Sequence, residues 1–315
     1  MIFTSDKPNV EIPATDLTSV VLRRVDELAD KPALIDGPTD RTLTYAQLRT
    51  QVQLLATGLN QRGFKKGDVL ALFCPNVPEY AVIFLGAASM GGINTTVNSL
   101  YSTPELIHQL NDSGARFLIT IPQFLDRAIP AAQATGIEEI FVLGEAEGAT
   151  PFIELMQNDG NAPQVEINPS KDLVALPYSS GTTGLSKGVM LTHENLIANM
   201  VLTCEMNTLT DEDRMLGVLP FFHIYGMVLI LNLAIYRGIT MVTMPRFDMQ
   251  QFLELVQKHQ ITSLNLVPPL ILGLAKQPIV DEYGLSSVRI IGSGAAPLGP
   301  ELEKACGNRL QCDIY

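Results

Sequence analysis

Tyr178-Ser-Ser-Gly-Thr-Thr-Gly-Leu-Ser-Lys-Gly188 is the most informative run of the 315-residue sequence. It follows an apolar, strand-like segment at 172–177 and precedes a second short strand-like segment at 189–191. Small residues let backbone N–H groups and hydroxyls approach an anion closely, and Lys187 adds a full positive charge. The run therefore predicts a hairpin that binds the phosphates of a nucleoside triphosphate.

The main alternative for such a run is a P-loop, G-x-x-x-x-G-K-[ST], and the spacing argues against it. Ser186 stands where the second glycine of that motif belongs, and Gly188 stands where the Mg²⁺-binding hydroxyl belongs. The predicted helix begins late, after Thr192, whereas a P-loop places its helix N-terminus directly under the phosphates. A ligand-free Ser/Gly hairpin is the other alternative, but an apolar strand running into small polar residues and a lysine is unusual for a plain turn.

Composition excludes several classes of protein. Hydrophobic residues make up 46% of the chain and charged residues 17%, which is enough apolar material for a large core and argues against disorder. The net charge of −12 lacks the basic surface that a nucleic-acid or anionic-membrane binder needs, so we expect no nucleic-acid partner.

Compartment and metal content can also be inferred. The first ten residues carry an acid where a signal peptide needs a base, and the apolar run 224–236 is too short to span a bilayer, so it predicts a buried helix and no transmembrane segment. The cysteines form no CxxC pair and the histidines are far apart in sequence. We therefore expect reduced thiols in a cytoplasmic protein and no metal site built from the chain itself.

Helix-like and strand-like segments alternate along the chain. A helix at 78–90 is followed by one that Thr103 should cap and by a strand at 115–120. The same order returns in the second half: Phe252, Leu255, Val256 and His259 fall on one helical face, 261–267 is strand-like, and Pro268-Pro269 starts another helix. A strand at 287–291 then leads into a helix from about 299 to 306. Repeated helix–strand units predict an α/β fold with mainly parallel sheets. Residues 158–170 read as a linker, and 310–315 read as the start of another strand, so we expect a truncated protein.

Several motifs, taken together, resemble one enzyme superfamily. S-S-G-T-T-G-L-S-K-G-V at 179–189 resembles the phosphate-binding signature of the adenylate-forming enzymes, which include acyl- and aryl-CoA synthetases, luciferases and peptide-synthetase adenylation domains. L-P-F-F-H-I-Y-G at 219–226 resembles their aromatic-gate segment, and M-P-R-F-D at 244–248 resembles a step of the CoA ligases. Residues 283–299 resemble the adenine-binding strand and turn, and 98–112 match the CoA-ligase pattern. The similarity is nearest to the 4-coumarate–CoA ligase branch.

The resemblance implies the residues of a site. The β- and γ-phosphates of ATP would be held by Ser179, Ser180, Gly181, Thr182, Thr183, Gly184 and Lys187. Adenine would pack on the turn formed by Gly294, Ala295, Ala296 and Pro297, with Pro297 starting a helix. His223, as the gate, Tyr225 and Leu229 would line the acid pocket, and Arg246 would contact coenzyme A. No residue is assigned with certainty to catalysis, and none to a metal.

The resemblance also implies a reaction. A carboxylate attacks the α-phosphate of ATP and expels pyrophosphate, while Mg²⁺ and fixed donors stabilise the charge on the phosphate oxygens. The acyl group of the resulting acyl-adenylate is then transferred to the thiol of coenzyme A, and AMP leaves. Val228 and Leu229 are bulkier and more apolar than the residues that plant hydroxycinnamate ligases tend to have there, so a fatty acid competes with an aryl acid as substrate. His223 stands where the peptide-synthetase branch has an aspartate, which argues against amino-acid substrates.

The implied fold is two packed, mainly parallel, helix-flanked sheets, the incomplete N-terminal domain of an adenylate-forming enzyme. We expect one lobe at about 50–200 and the other at about 1–49 plus 201–315, with the C-terminal lid domain absent and little ligase activity in this chain alone. A fatty-acid–CoA ligase, a luciferase-like enzyme and a truncated, non-catalytic nucleotide-binding module remain as alternatives.

Overall fold

Helices and strands alternate throughout a computed structural model that describes residues 9–179 and 186–315. The strands are β1 (Pro32–Asp36), β2 (Thr42–Thr44), β3 (Val69–Phe73), β4 (Ile93–Thr96), β5 (Ala115–Thr120), β6 (Glu139–Val142), β7 (Thr150–Pro151), β8 (Leu173–Ala175), β9 (Tyr178–Ser179), β10 (Lys187–Gly188), β11 (Leu191–Thr192), β12 (Arg214–Gly217), β13 (Thr240–Thr243), β14 (Ser263–Leu266), β15 (Ile290–Ser293) and β16 (Asp313–Ile314). The α-helices are α1 (Leu17–Val21), α2 (Tyr45–Gln61), α3 (Glu79–Ser89), α4 (Thr103–Ser113), α5 (Leu125–Gln133), α6 (His193–Met206), α7 (Leu233–Arg237), α8 (Met249–His259), α9 (Pro268–Lys276) and α10 (Pro300–Leu310). A π-helix, Tyr225–Asn232, leads into α7, and short 3₁₀ turns lie at Pro122–Phe124, Phe152–Met156 and Pro278–Glu282.

The strands form two larger sheets and one small ribbon in the described part of the chain. The first sheet has the order β16-β15-β14-β12-β13-β1-β2 and is parallel except for the β1–β2 hairpin. The second has the order β11-β8-β4-β3-β5-β6-β7 and is parallel except for β11. β9 and β10 form a separate antiparallel ribbon. The predicted α/β fold with mainly parallel, helix-flanked sheets is confirmed, while the lobe boundaries stay a prediction.

Alternate residues of the strands face different cores, because successive side chains of a strand point to opposite sides of the sheet. In β3, Leu70 and Leu72 belong to a core that lies between the two sheets, whereas Ala71 and Phe73 face the outer core under α4 and α5. In β13, Met241 joins the same middle core, and Val242 faces the outer core under α8, α9 and α10. The molecule is thus layered, with the two sheets sharing one middle core.

Local signals explain where several elements begin and end. α4 is capped by Ser102, whose side chain and that of Glu105 form a capping box, so the expectation that Thr103 is the N-cap is wrong. Gly114 ends that helix with a left-handed φ of 65°. Thr192 caps α6 as predicted.

The C-terminal part departs from expectation in two details. β15 starts at Ile290, later than the predicted 287, because the chain before it is still turning, with the Val288 N–H donating to the Leu285 carbonyl. α10 starts at Pro300 with Gly299 as its N-cap, so Pro297 does not start the helix. Residues 313–314 do form the predicted further strand, β16, beside β15.

The apolar run 224–236 is helical and mostly buried, as predicted, but its first part has π rather than α geometry. Within residues 9–179 and 186–315, no helix combines the length and the apolar character needed to cross a bilayer.

Candidate active site

A cavity of about 730 Å³ lies where strands of both sheets end. Its lining includes Ser179 of the β9–β10 ribbon, His223 and Tyr225 of the aromatic-gate segment, Leu229 of the π-helix, and Ala295 of the turn after β15. These residues are far apart in the sequence and come together because parallel strands direct the loops after them to the same edge. The cavity therefore unites members of three separately predicted motifs.

The structure describes residues 178–179 and 186–188 of the segment that is predicted to bind phosphates. Ser179 and Lys187 are both exposed and face each other as partners in the β9–β10 ribbon. The remaining predicted phosphate ligands, Ser180, Gly181, Thr182, Thr183 and Gly184, lie outside the described residues.

Helix α4 is hydrogen-bonded to β9 and to the residue just before β10. The Tyr178 hydroxyl donates to Asp112 Oδ2 at 2.6 Å, and His108 Nε2 lies 3.0 Å from the Ser186 carbonyl oxygen. Because a carbonyl only accepts, Nε2 is the protonated nitrogen of His108. Burial, reinforced by the bond to Asp112, raises the pKa of Tyr178, so its hydroxyl stays a donor.

The gate residues have defined hydrogen-bonding roles. His223 Nδ1 accepts the Tyr225 backbone N–H at 3.3 Å, which leaves Nε2 as the proton-bearing nitrogen of the neutral ring. The Tyr225 hydroxyl donates to Asn265 Oδ1 at 3.1 Å, and burial raises the pKa of that hydroxyl. His223 is exposed toward the cavity and Tyr225 is half-buried beneath it, so the histidine is the one placed to meet a ligand.

The turn after β15, which we expect to hold adenine, lies beside Tyr225 and the cavity, and its part in adenine binding stays a prediction. A Cβ on Gly294 would lie 3.1 Å from Tyr225 Cζ, so this glycine makes room for the tyrosine ring. Ala295 lines the cavity with a left-handed φ of 66°, which is rare for a residue other than glycine. Ala296 and Pro297 are exposed and are not among the described lining residues.

Arg246 lies away from this cavity, exposed in the loop between β13 and α8. Its neighbours Met244, Pro245 and Phe247 line a second cavity of about 280 Å³. Phe222 lines both cavities and so stands between them.

Polar lining residues were missed by sequence reasoning. Asn98 and Gln109 lie within the 98–112 segment that matched the CoA-ligase pattern, but nothing marked them individually. Asn195 and Asn199 are four residues apart on α6, a spacing that places both on one helix face and could have indicated a shared role.

Metal and thiol chemistry is limited in the described ranges. Residues 9–179 and 186–315 contain no group of three or more His, Cys, Asp or Glu side chains that could hold a metal ion. Cys74, Cys204, Cys306 and Cys312 are free thiols, and burial raises the pKa of each.

Two packed, mainly parallel sheets with an antiparallel ribbon and a cavity at their strand ends define an α/β domain with a candidate ligand site. The chain belongs to the AMP-binding enzyme family, whose pattern it matches over residues 21–315. It is 41% identical to 4-coumarate–CoA ligase 1 from Petroselinum crispum over 311 residues, which are 97% of this chain and 57% of the relative. It is 38% identical to probable 4-coumarate–CoA ligase 1 from Dictyostelium discoideum, covering 98% of this chain and 60% of the relative.

Solved structures agree with this assignment. A long-chain-fatty-acid–CoA ligase, FadD1 from Archaeoglobus fulgidus, superposes with a TM-score of 0.90 at 26% identity, over 98% of this chain and 64% of that one. The anthranilate CoA ligase AuaEII in complex with anthranoyl-AMP superposes with a TM-score of 0.87 at 25% identity, over 96% and 59%. The chain thus spans less than two thirds of the length of these relatives.

Proposed function

We propose that this chain provides the nucleotide- and acid-binding part of an ATP-dependent acid–CoA ligase. The observation that carries the proposal is the joining of Ser179, His223, Tyr225, Leu229 and Ala295 in one cavity. The proposal is also supported by the family match and by the 4-coumarate–CoA ligases, about two fifths of whose aligned residues are identical to those of this chain.

The proposed first step is attack of a carboxylate oxygen on the α-phosphate of ATP, with loss of pyrophosphate. The ribbon bearing Ser179 and Lys187 would bind the β- and γ-phosphates, and the lysine charge would offset the charge that develops on them. Mg²⁺ would arrive on the nucleotide phosphates. His223 Nε2–H is available to donate to a carboxylate or phosphate oxygen, because its Nδ1 is occupied by the Tyr225 amide.

The proposed acid is apolar at the end remote from its carboxylate. Val228 and Leu229 line the cavity beside Leu191 and Leu196, which favours an aryl or aliphatic group over a charged one. An amino-acid substrate needs a partner for its ammonium group, and the lining described contains no carboxylate. Hydroxycinnamates and fatty acids therefore both fit the proposal.

Coenzyme A is the proposed second substrate. Arg246 is exposed between Pro245 and Phe247, which line the second cavity, and its guanidinium can meet a phosphate of the coenzyme. The free thiols fit the reducing cytoplasm that we propose as the compartment.

Binding of non-hydrolysable acyl-sulfamoyl adenosines, which mimic an acyl-adenylate, tests the acid half of the proposal by titration calorimetry. We expect the 4-coumaroyl or hexadecanoyl mimic to bind at least tenfold more tightly than the phenylalanyl mimic. Equal binding of all three would favour the alternative of a nucleotide-binding module without acid specificity. Absence of binding by the folded chain would refute the proposal.

Titration with MgATP tests the phosphate ribbon. Replacing Lys187 by Met removes a charge-assisted contact worth about 1.5–3 kcal/mol, which corresponds to roughly a 10- to 100-fold weaker affinity for MgATP. Lys171→Met is the matched control, because Lys171 is also an exposed lysine but lies before β8, away from the ribbon. Equal affinities of the two variants would contradict the assignment of Lys187.

A further inference from the structure

The segment 217–223, which connects β12 to the π-helix, is held by one asparagine from the other sheet. Asn76 lies three residues beyond β3 and is only 5% exposed. Its Nδ2 donates to the carbonyls of Gly217 and Leu219, both at 2.9 Å, and its Oδ1 accepts the Phe221 N–H at 2.8 Å. The orientation of the amide is unambiguous, because the Phe221 N–H can only donate and the two carbonyls can only accept.

A threonine completes the attachment. Thr96, the last residue of β4, is 2% exposed and donates its hydroxyl to the Phe222 carbonyl at 2.8 Å. Backbone bonds join the Val218 N–H to the Leu216 carbonyl and the His223 N–H to the Pro220 carbonyl. The side-chain bonds add partners for the Leu219 and Phe222 carbonyls and for the Phe221 N–H, as buried backbone groups require. The position of the segment relative to the second sheet therefore depends on Asn76 and Thr96.

Residues of this segment line both cavities. Phe222 lines the larger and the smaller cavity, and His223 lines the larger one. Phe221 is fully buried and packs edge-on against Tyr80, with ring centroids 5.6 Å apart, which anchors the middle of the segment from the same side as Asn76. A shift of the segment would move the wall between the cavities and the histidine together.

We propose that Asn76 and Thr96 are positioning residues that fix the segment 217–223 between the acid–nucleotide cavity and the cavity beside Arg246. This inference rests on the proposed function, since it assigns ligands to those two cavities. Thr96 lines the larger cavity and Asn76 lines the smaller one, but the polar side-chain atoms of both are bonded to the backbone of the segment. Both therefore act by fixing where Phe222 and His223 stand. Misplacement of such groups by even about 1 Å weakens their interaction with a ligand severely.

Asn76→Asp is the most direct test, because it keeps the shape of the side chain and the acceptor for Phe221 but cannot donate to the two carbonyls. We expect the affinity for the preferred acyl-sulfamoyl adenosine to fall at least tenfold. Asn94→Asp is the matched control: Asn94 is fully buried and donates its amide to two carbonyls, those of Phe84 at 3.1 Å and Val174 at 3.3 Å. Both variants should be less stable, but only the Asn76 variant should lose binding at a temperature where both are folded.

Thr96 gives a second test that does not add a charge. Thr96→Val removes the donor to Phe222 and preserves shape, whereas Thr96→Ser keeps the hydroxyl. We expect the valine variant to bind the same mimic severalfold more weakly and the serine variant to bind within about twofold of the wild type. This pair decides the question if Asn76→Asp does not fold.

The outcomes separate the two proposals. If the wild-type chain binds the mimic and the Asn76 and Thr96 variants bind it equally well, the positioning role is overturned and the proposed function stands. If Asn94→Asp loses as much affinity as Asn76→Asp, loss of stability alone accounts for the effect and the positioning role is again overturned. If the wild-type chain binds no mimic, the proposed function fails and this inference fails with it.

Discussion

Ala295, a single residue of the candidate site, has a strained backbone conformation. Its φ of 66° brings Cβ close to the following carbonyl, which costs an L-residue other than glycine about 1–2 kcal/mol. Ala295→Gly should therefore raise the free energy of unfolding by about 0.5–1 kcal/mol, after the greater freedom of glycine in the unfolded chain is subtracted.

Urea unfolding of two variants checks this prediction. Ala296→Gly is the control, because the adjacent alanine does not have a positive φ and its replacement should lower the free energy of unfolding. Equal destabilisation by both changes would show that the left-handed conformation of Ala295 stores no strain.

Residues also show the limit of what the sequence predicts. Ser179, His223, Tyr225, Leu229 and Ala295 belong to motifs whose resemblance indicated a shared site, and they do line one cavity. Their individual roles in binding remain predictions. Asn76 was not anticipated, because a single asparagine after a strand has no distinctive pattern and its partners are more than 140 positions away.

Among the elements, the π-helix depends on a close backbone contact at its start. A Cβ on Gly226 would lie 2.1 Å from the Pro220 carbonyl oxygen, and neither the helix nor that backbone atom can move without disturbing the gate segment. Gly226→Ala should lower the free energy of unfolding by about 1–3 kcal/mol, as overpacking of a dense interior does, and should weaken binding of an acyl-adenylate mimic.

Gly136→Ala is the control variant for Gly226→Ala. A Cβ at Gly136 meets no atom within 4 Å, so its replacement should change stability by no more than about 0.5 kcal/mol. Chemical denaturation and calorimetric titration of both variants measure the two effects. If Gly226→Ala is as stable as Gly136→Ala and binds normally, the contact with Pro220 is not required.

Elements were predictable where local chemistry decides them. The capping residue Thr192, the stop at Gly114 and the apolar character of 224–236 are local signals, and the corresponding helices are present. The π geometry of Tyr225–Asn232 is not local, since it depends on how the segment fits over Pro220 and between neighbouring elements. Periodicity alone gives no means of separating it from an α-helix.

At the scale of the whole molecule, His193 links α1 and α6, two helices that both contribute side chains to the middle core shared by the sheets. It is fully buried at the start of α6, its Nδ1 accepts the Leu17 N–H of α1 at 3.1 Å, and its Nε2 has no hydrogen-bond partner among residues 9–179 and 186–315. Burial lowers the pKa of His193, and the nearby Asp16 and Asp172 only partly oppose this effect.

The sign of the pH dependence follows from that shift. The unfolded chain takes up a proton on this histidine as the pH falls below about 6.5, while the folded chain does not until a lower pH. The free energy of unfolding should therefore fall between pH 7.5 and pH 5.5 more in the wild type than in His193→Asn, whose amide oxygen can still accept the Leu17 N–H. Urea titrations at both pH values measure this, and identical pH dependence of the two proteins would exclude His193 as the cause.

The parallel, helix-covered sheets were predictable from the alternation of elements. The way in which the strands divide between two sheets that share one core was not predictable from it. Alternation of helices and strands indicated parallel sheets covered by helices. Which strands join which sheet depends on pairings such as β1 with β13, whose residues are more than 200 positions apart. Only the family resemblance, and not hydrophobic periodicity, indicated that the two lobes interleave.

The position of Phe222 has a consequence for the lifetime of the proposed intermediate. An acyl-adenylate is a mixed anhydride that water hydrolyses, and it would form in the larger cavity, whose lining includes Phe222, a residue that also lines the smaller cavity. A rotation of that side chain could bring an incoming thiol within reach of the acyl carbon without opening the reaction chamber to bulk solvent. The activated acid would then be consumed where it is made, and hydrolysis would have little time to compete.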